Sequence, residues 1–152
     1  MKTKLLLLVL LISMTYISCQ KKAAEAQQPD NITPVTIAKG ETPTAILDNG
    51  NYIIKNDSIW NDFLVMFGQA VNVNRVFSET DIDFSQYMVI AVVDTVHPYS
   101  PNTLDITDIE LVQDTIRVRY TNLNTGDATM PAQPFHVVKI RTRNEPVEFI
   151  RY

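Results

Sequence analysis

The chain is poor in the residues that most often carry chemistry. Among 152 residues it has one cysteine, two histidines, one tryptophan and four glycines. A single cysteine excludes an intrachain disulfide framework, so a stable fold must rest on its hydrophobic core. The sequence shows no glycine-rich phosphate loop and no nucleophile elbow. Basic charge is also scarce, with 13 Lys and Arg against 17 Asp and Glu. That balance argues against nucleic acid as a partner and against adsorption to anionic lipid through a basic patch. Long apolar runs are missing except for Leu5–Ile12, which is shorter than the about 20 residues a spanning helix needs.

What is present begins at the N-terminus. Lys2 and Lys4 precede the apolar run, and a more polar stretch, Ser13–Ser18, follows it. This three-part pattern predicts a secretory signal over residues 1–18. Tyr16-Ile17-Ser18-Cys19 resembles a lipobox, with the small Ser18 before the cysteine. Tyr16 replaces the usual leucine, a looseness common in lipoproteins of the Bacteroidota. Cys19 is therefore the expected lipid-attachment residue. Its acyl chains would be the only membrane contact and would place the protein in the cell envelope, at the outer membrane, facing the periplasm or the surface. A thiol used this way leaves none for cysteine-based catalysis.

Residues 20–42 are rich in Gln, Ala, Lys, Pro and Thr and poor in large apolar groups. Such a composition offsets little ordering entropy, so residues 19–43 read as a lipidated, flexible tether. A single folded domain is expected over residues 44–152.

Within that domain, Asp48-Asn49-Gly50 predicts a turn and Tyr52-Ile53-Ile54 a strand onto which 45–47 would pair back. Asn56 suits a helix N-cap, Asp57 the first turn and Gly68 the stop. Trp60, Phe63, Leu64 and Phe67 fall on one helical face, better read as core than as an aromatic ligand box. Tyr87–Val93 is apolar throughout, which predicts a central strand covered on both faces, once by that helix. Leu104 and Ile106 alternate on even positions, then Ile109 and Leu111 on odd ones, so a bulge is expected near Thr107-Asp108. Ile116, Val118 and Tyr120 alternate with Arg117 and Arg119, and Asp114 sits at the turn before them. Phe135–Ile140 and Val147–Ile150 are the last strands, with Asn144-Glu145-Pro146 between them. The expected fold is α+β: one N-terminal helix packed on a mostly antiparallel sheet of about five strands.

Few residues compete for a chemical role. His97 and His136 would hold a metal only if they converged with a carboxylate such as Asp94 or Asp105, and their spacing does not suggest it. No metal site and no cofactor is expected. His136 alternates with Val138 and Ile140, which reads as a hydrogen-bonded residue at the rim of the core. Asp81 and Asp83 lie in a polar turn, where turn chemistry is the plainer reading than an acid–base pair. Arg117, Arg119, Lys139, Arg141, Arg143 and Arg151 concentrate the basic charge in the C-terminal strands, and Asp105, Asp108, Glu110 and Asp114 precede them. Cross-strand pairing on a solvated face explains them more simply than an anionic ligand or an acidic partner docking there.

Three stretches resemble the C-terminal domain of the PrcB family of protease-complex subunits. They are Asn56–Phe63, with its early tryptophan; Asp83–Val92, with its Asp-Phe lead into a central strand; and Pro134–Ile140, with its proline-aromatic-histidine strand. Where that family usually has a threonine-glycine-glycine-tyrosine loop, this chain has His97-Pro98-Tyr99-Ser100-Pro101. The resemblance implies a non-enzymatic subunit whose partner is an envelope protein, such as a protease complex. Alternatives are a loop-based protease inhibitor or regulator and, last, a small envelope hydrolase. Long loops in compact domains often carry function. Candidate partner-binding residues accordingly come from the loops Thr95–Pro101 and Asn122–Pro134 and their flanks: His97, Pro98, Tyr99, Pro101, Met130, Pro134, Phe135 and His136.

Overall fold

The structure is a computed structural model that describes residues 29–43, 47–101, 103–124 and 127–152. The predicted signal and Cys19 lie outside the described residues. Among the described residues eight strands and two helices follow one another: β1 (Asp30–Asn31), β2 (Val35–Thr42), β3 (Gly50–Ile54), α1 (Asp57–Gly68), α2 (Val73–Val76), β4 (Tyr87–Val93), β5 (Thr103–Val112), β6 (Thr115–Asn124), β7 (Gln133–Arg141) and β8 (Val147–Arg151). They form two four-stranded sheets, ordered β2-β7-β4-β3 (sheet I) and β1-β5-β6-β8 (sheet II). The mixed α and β content agrees with the expected class, but two sheets of eight strands replace the single sheet of about five.

The periodicity of β4 explains the layering. Val89, Ala91 and Val93 face α1, while Met88, Ile90 and Val92 face sheet II. Strand β7 repeats the split, with Phe135 and Val137 on the helix side and Val138 and Ile140 between the sheets. A strand buried on both faces must be apolar at every position, which is what Tyr87–Val93 shows.

Helix α1 starts where expected: the Asn56 side chain accepts the Ile59 N–H at 3.0 Å, and the helix ends at Gly68. Its apolar face is a run of touching rings. Trp60 stacks on Phe63 at 5.6 Å, Phe63 meets Phe67 at 4.8 Å, and Phe67 meets Phe77 at 5.2 Å and Phe135 at 4.9 Å. Trp60 Nε1–H donates to the Thr80 carbonyl at 2.8 Å, which satisfies its polar end inside the core.

In sheet II the predicted bulge is present, as a register shift between Ile106 and Asp108 against β6. Gln113 and Asp114 both take positive φ, the geometry of a tight two-residue hairpin between β5 and β6. Arg119 pairs with Glu110 at 2.6 Å and Arg117 with Glu148 at 3.3 Å, the cross-strand charge pairing expected on a solvated face.

Two expectations need correction. The tether does not extend over 30–42. Strand β2 pairs with β7 along its length and buries Ile37, Ala38 and Thr42, and Asp30-Asn31 pairs with β5. Backbone pairing needs no large side chains, so composition underestimated this segment. Strand β3 pairs with β4. The expectation that 45–47 pair back onto β3 falls largely outside the described residues; of that segment Leu47 is described, and Gln133 accepts its N–H at 3.2 Å and donates to its carbonyl at 2.8 Å. Finally, β7 and β8 belong to different sheets, and β8 runs parallel to β6, the one parallel pair among the described strands.

Candidate functional site

The two loops singled out in the sequence are joined to each other. His97 N–H donates to the Ala132 carbonyl at 2.7 Å, and Ala132 N–H returns the bond at 2.9 Å. Ser100 and Ala128 exchange a second pair at 3.0 and 3.2 Å. The segment after β4 thus forms a short antiparallel ladder with the segment before β7. That register sets Tyr99 across from the 129–130 stretch.

Asp94 fastens this ladder to the body. It ends the apolar run of β4, and its side chain is only 5% exposed. Oδ1 accepts from the Thr95 N–H at 2.8 Å and from Arg151 Nη1 at 2.9 Å. Oδ2 accepts from His97 Nε2, Asn122 Nδ2 and Arg151 Nη2, each at 2.9 Å. Arg151 comes from the end of β8 and Asn122 from β6, so one carboxylate ties sheet I to sheet II at this end. The Asp94 backbone is held as well, through Pro134 O at 2.9 Å and Gln133 Nε2 at 3.0 Å. Burial alone would raise the Asp94 pKa. The His97, Thr95, Asn122 and Arg151 donors outweigh burial and hold it below the ordinary carboxylate value. A carboxylate so fully donated to, with a guanidinium on both oxygens, is a poor proton acceptor. The arrangement is a structural fastener.

The candidate residues divide sharply. Pro98, Tyr99, Pro101 and Met130 are exposed, Tyr99 at 48% and Met130 at 59%. His97 is half-buried and turned onto Asp94. Pro134, Phe135 and His136 are buried and present no surface to a partner, which corrects their place among the binding candidates. They belong to β7, whose two faces are both covered.

His136 has a structural role at the β5 bulge. Its Nδ1 accepts the Ile106 N–H at 2.9 Å, which leaves Nε2–H to donate to Thr36 Oγ1 at 3.0 Å. Burial, and then the Lys39 charge, push its pKa down to about 4 against the upward pull of Asp105. The neutral form is therefore native. The unfolded chain takes up a proton near pH 6.5, so stability is complete above that value and falls as pH drops towards about 4. At pH 5 the linkage amounts to about 2 kcal/mol. His136→Asn keeps an acceptor near Nδ1 and should flatten the pH 5–7 stability profile measured by urea titration. An unchanged slope would refute the assignment.

His97 and His136 take separate carboxylate neighbours, Asp94 and Asp105, rather than converging. Among the described residues no group of three or more His, Cys, Asp or Glu side chains could hold a metal ion. Asp83 serves the turn before β4, accepting from Ser85 and Gln86. Among the described residues no helix is long and apolar enough to cross a membrane.

Asn122, Gln133 and Arg151 escaped sequence reasoning as parts of one network. They stand 28, 39 and 57 positions from Asp94 along the chain and meet it only by folding. The one local signal was an aspartate placed directly after an apolar run. In comparisons with known proteins, no family model, no curated protein and no solved structure matches the chain.

Proposed function

We propose that the protein is a lipid-anchored, non-enzymatic accessory subunit whose paired loops contact another envelope protein. The observation that carries this reading is the clamped ladder, on which Tyr99 and Met130 stand exposed. Exposed aromatic and methionine side chains enrich the centres of interfaces, and pre-ordered loops reduce the entropy cost of binding. The resemblance to the PrcB family supports a protease complex as the partner. The sequence pattern ending at Cys19 supports the anchor.

The test is a crosslinking pull-down from native membranes. A Tyr99→Ala, Met130→Ala double variant should lose most partner recovery with its circular dichroism unchanged, because both side chains are exposed. Full recovery would move the interface elsewhere. A peptidase-inhibition assay on the same material separates an accessory subunit from an inhibitor. For the anchor, Cys19→Ala should leave the membrane fraction or accumulate as unprocessed precursor. A variant still membrane-bound at mature mass would disprove lipidation.

A further inference from the structure

Sheet edges expose unpaired N–H and C=O groups, and proteins usually blunt them with charge, proline, bulges or very short strands. Three of the four edges here follow that rule. Strand β1 has two residues. Strand β8 carries Glu148 and Arg151 and follows Pro146. Strand β2 carries Lys39 and Glu41, has a register shift between Thr36 and Ala38, and gives its Ile37 carbonyl to Ser78. The fourth edge, β3, reads Gly-Asn-Tyr-Ile-Ile, with no charge and no proline, and it pairs regularly with β4 over all five residues. Ile53 on this strand is 38% exposed.

Among the described residues no strand pairs with the outer side of β3, and beside it lies a groove of about 500 Å³, between β3 and the flank of α1. Its floor and walls are Tyr52, Phe63 and Met66, with Ile59 and Val65 on the helix side. Ile59 and Val65 are apolar groups left 49% and 67% exposed on an otherwise well-packed helix. Asp48 and Asp62 also line the groove, and no Lys, Arg or His does.

A strand added to β3 would lie about 4.8 Å from it, with alternate side chains directed to the α1 side of sheet I. We propose that the β3 edge binds an extended peptide as a fifth strand of sheet I, whose alternating apolar and Lys or Arg side chains enter this groove. Backbone pairing would supply affinity and the groove would select side chains, the logic of strand addition. The carboxylates favour a basic peptide over a second copy of this acidic chain. The site is separate from the Tyr99–Met130 surface and does not rest on the function proposed for it.

The test is a displayed library of random heptapeptides selected on the full-length chain. Enriched peptides should alternate apolar residues with Lys or Arg. A synthetic representative should shift the backbone amide resonances of Asn51 and Ile53 and the methyl resonances of Ile59 and Val65. N-methylation of alternate peptide amides should abolish binding. Asp48→Asn with Asp62→Asn should weaken it by roughly tenfold, and both side chains are exposed, so the fold should persist. Tyr99→Ala with Met130→Ala should leave peptide binding unchanged. No enrichment, enrichment of acidic peptides, or shifts away from β3 would overturn the proposal. So would concentration-dependent self-association mapped to β3, which would make a second copy the occupant.

Discussion

Replacing Trp60 with alanine is expected to destabilise the protein by about 3–5 kcal/mol, the usual range for truncating a buried aromatic. Trp60 is 2% exposed and stands at the head of the ring cluster that joins α1 to sheet I. Its removal leaves a cavity between Phe63 and Phe77 and strips the Thr80 carbonyl of its donor. Trp60→Phe keeps most of the apolar area and loses that hydrogen bond, so it should cost about 1–2 kcal/mol. Urea melts of the two variants should preserve this order. Equal midpoints for the wild type and Trp60→Ala would show that α1 does not contribute to the cooperative core. Deleting Asp30–Thr42 should also be severe, because it removes β2 together with the buried Ile37 and Ala38.

Asp94→Ala is expected to cost about 2–4 kcal/mol, since it removes the shared acceptor of a buried charge network and leaves Arg151, His97 and Asn122 without it. Its effect should be local as well as global. The amides of His97, Ser100, Ala128 and Ala132 close the ladder between the loops, and their hydrogen-exchange protection should fall by more than that of β4. Arg151→Ala should cost less, because the guanidinium is half-exposed and its interaction is screened. The contribution of Asp94 is present above the ordinary carboxylate value of 3.8 and is lost as pH falls through its lowered pKa. Ladder protection that survived Asp94→Ala would show that the loop pairing stands without its fastener.

Much of the local structure was legible in the chain. The helix from Asn56 to Gly68, the doubly covered strand at Tyr87–Val93, the bulge near Thr107 and the two-residue turn at Asp114 each follow from patterns within a few residues. Such features depend on local periodicity, capping and turn geometry, and these act over one or two turns of chain. The two loops were likewise visible from length and proline content. Strand β2 was not, because its place is set by pairing with β7, about 100 residues away, and no pattern within a few residues of it shows that partner.

The candidate site marks the same boundary. Tyr99 and Met130 could be nominated from sequence because exposed apolar groups in long loops stand out. His136 and Phe135 could not be excluded from the surface until β7 was seen to lie between two cores. The sequence by itself determined the helix at Asn56–Gly68, the strands from Tyr87 onward and the turns between them, since those preferences are set by neighbouring residues. Only the tertiary structure decided that the strands divide into two sheets, that Asp94 gathers Asn122 and Arg151, and that β3 is an edge of sheet I among the described strands. Those outcomes depend on which distant segments pair, and pairing is selected by burial summed over the whole fold rather than by any local pattern.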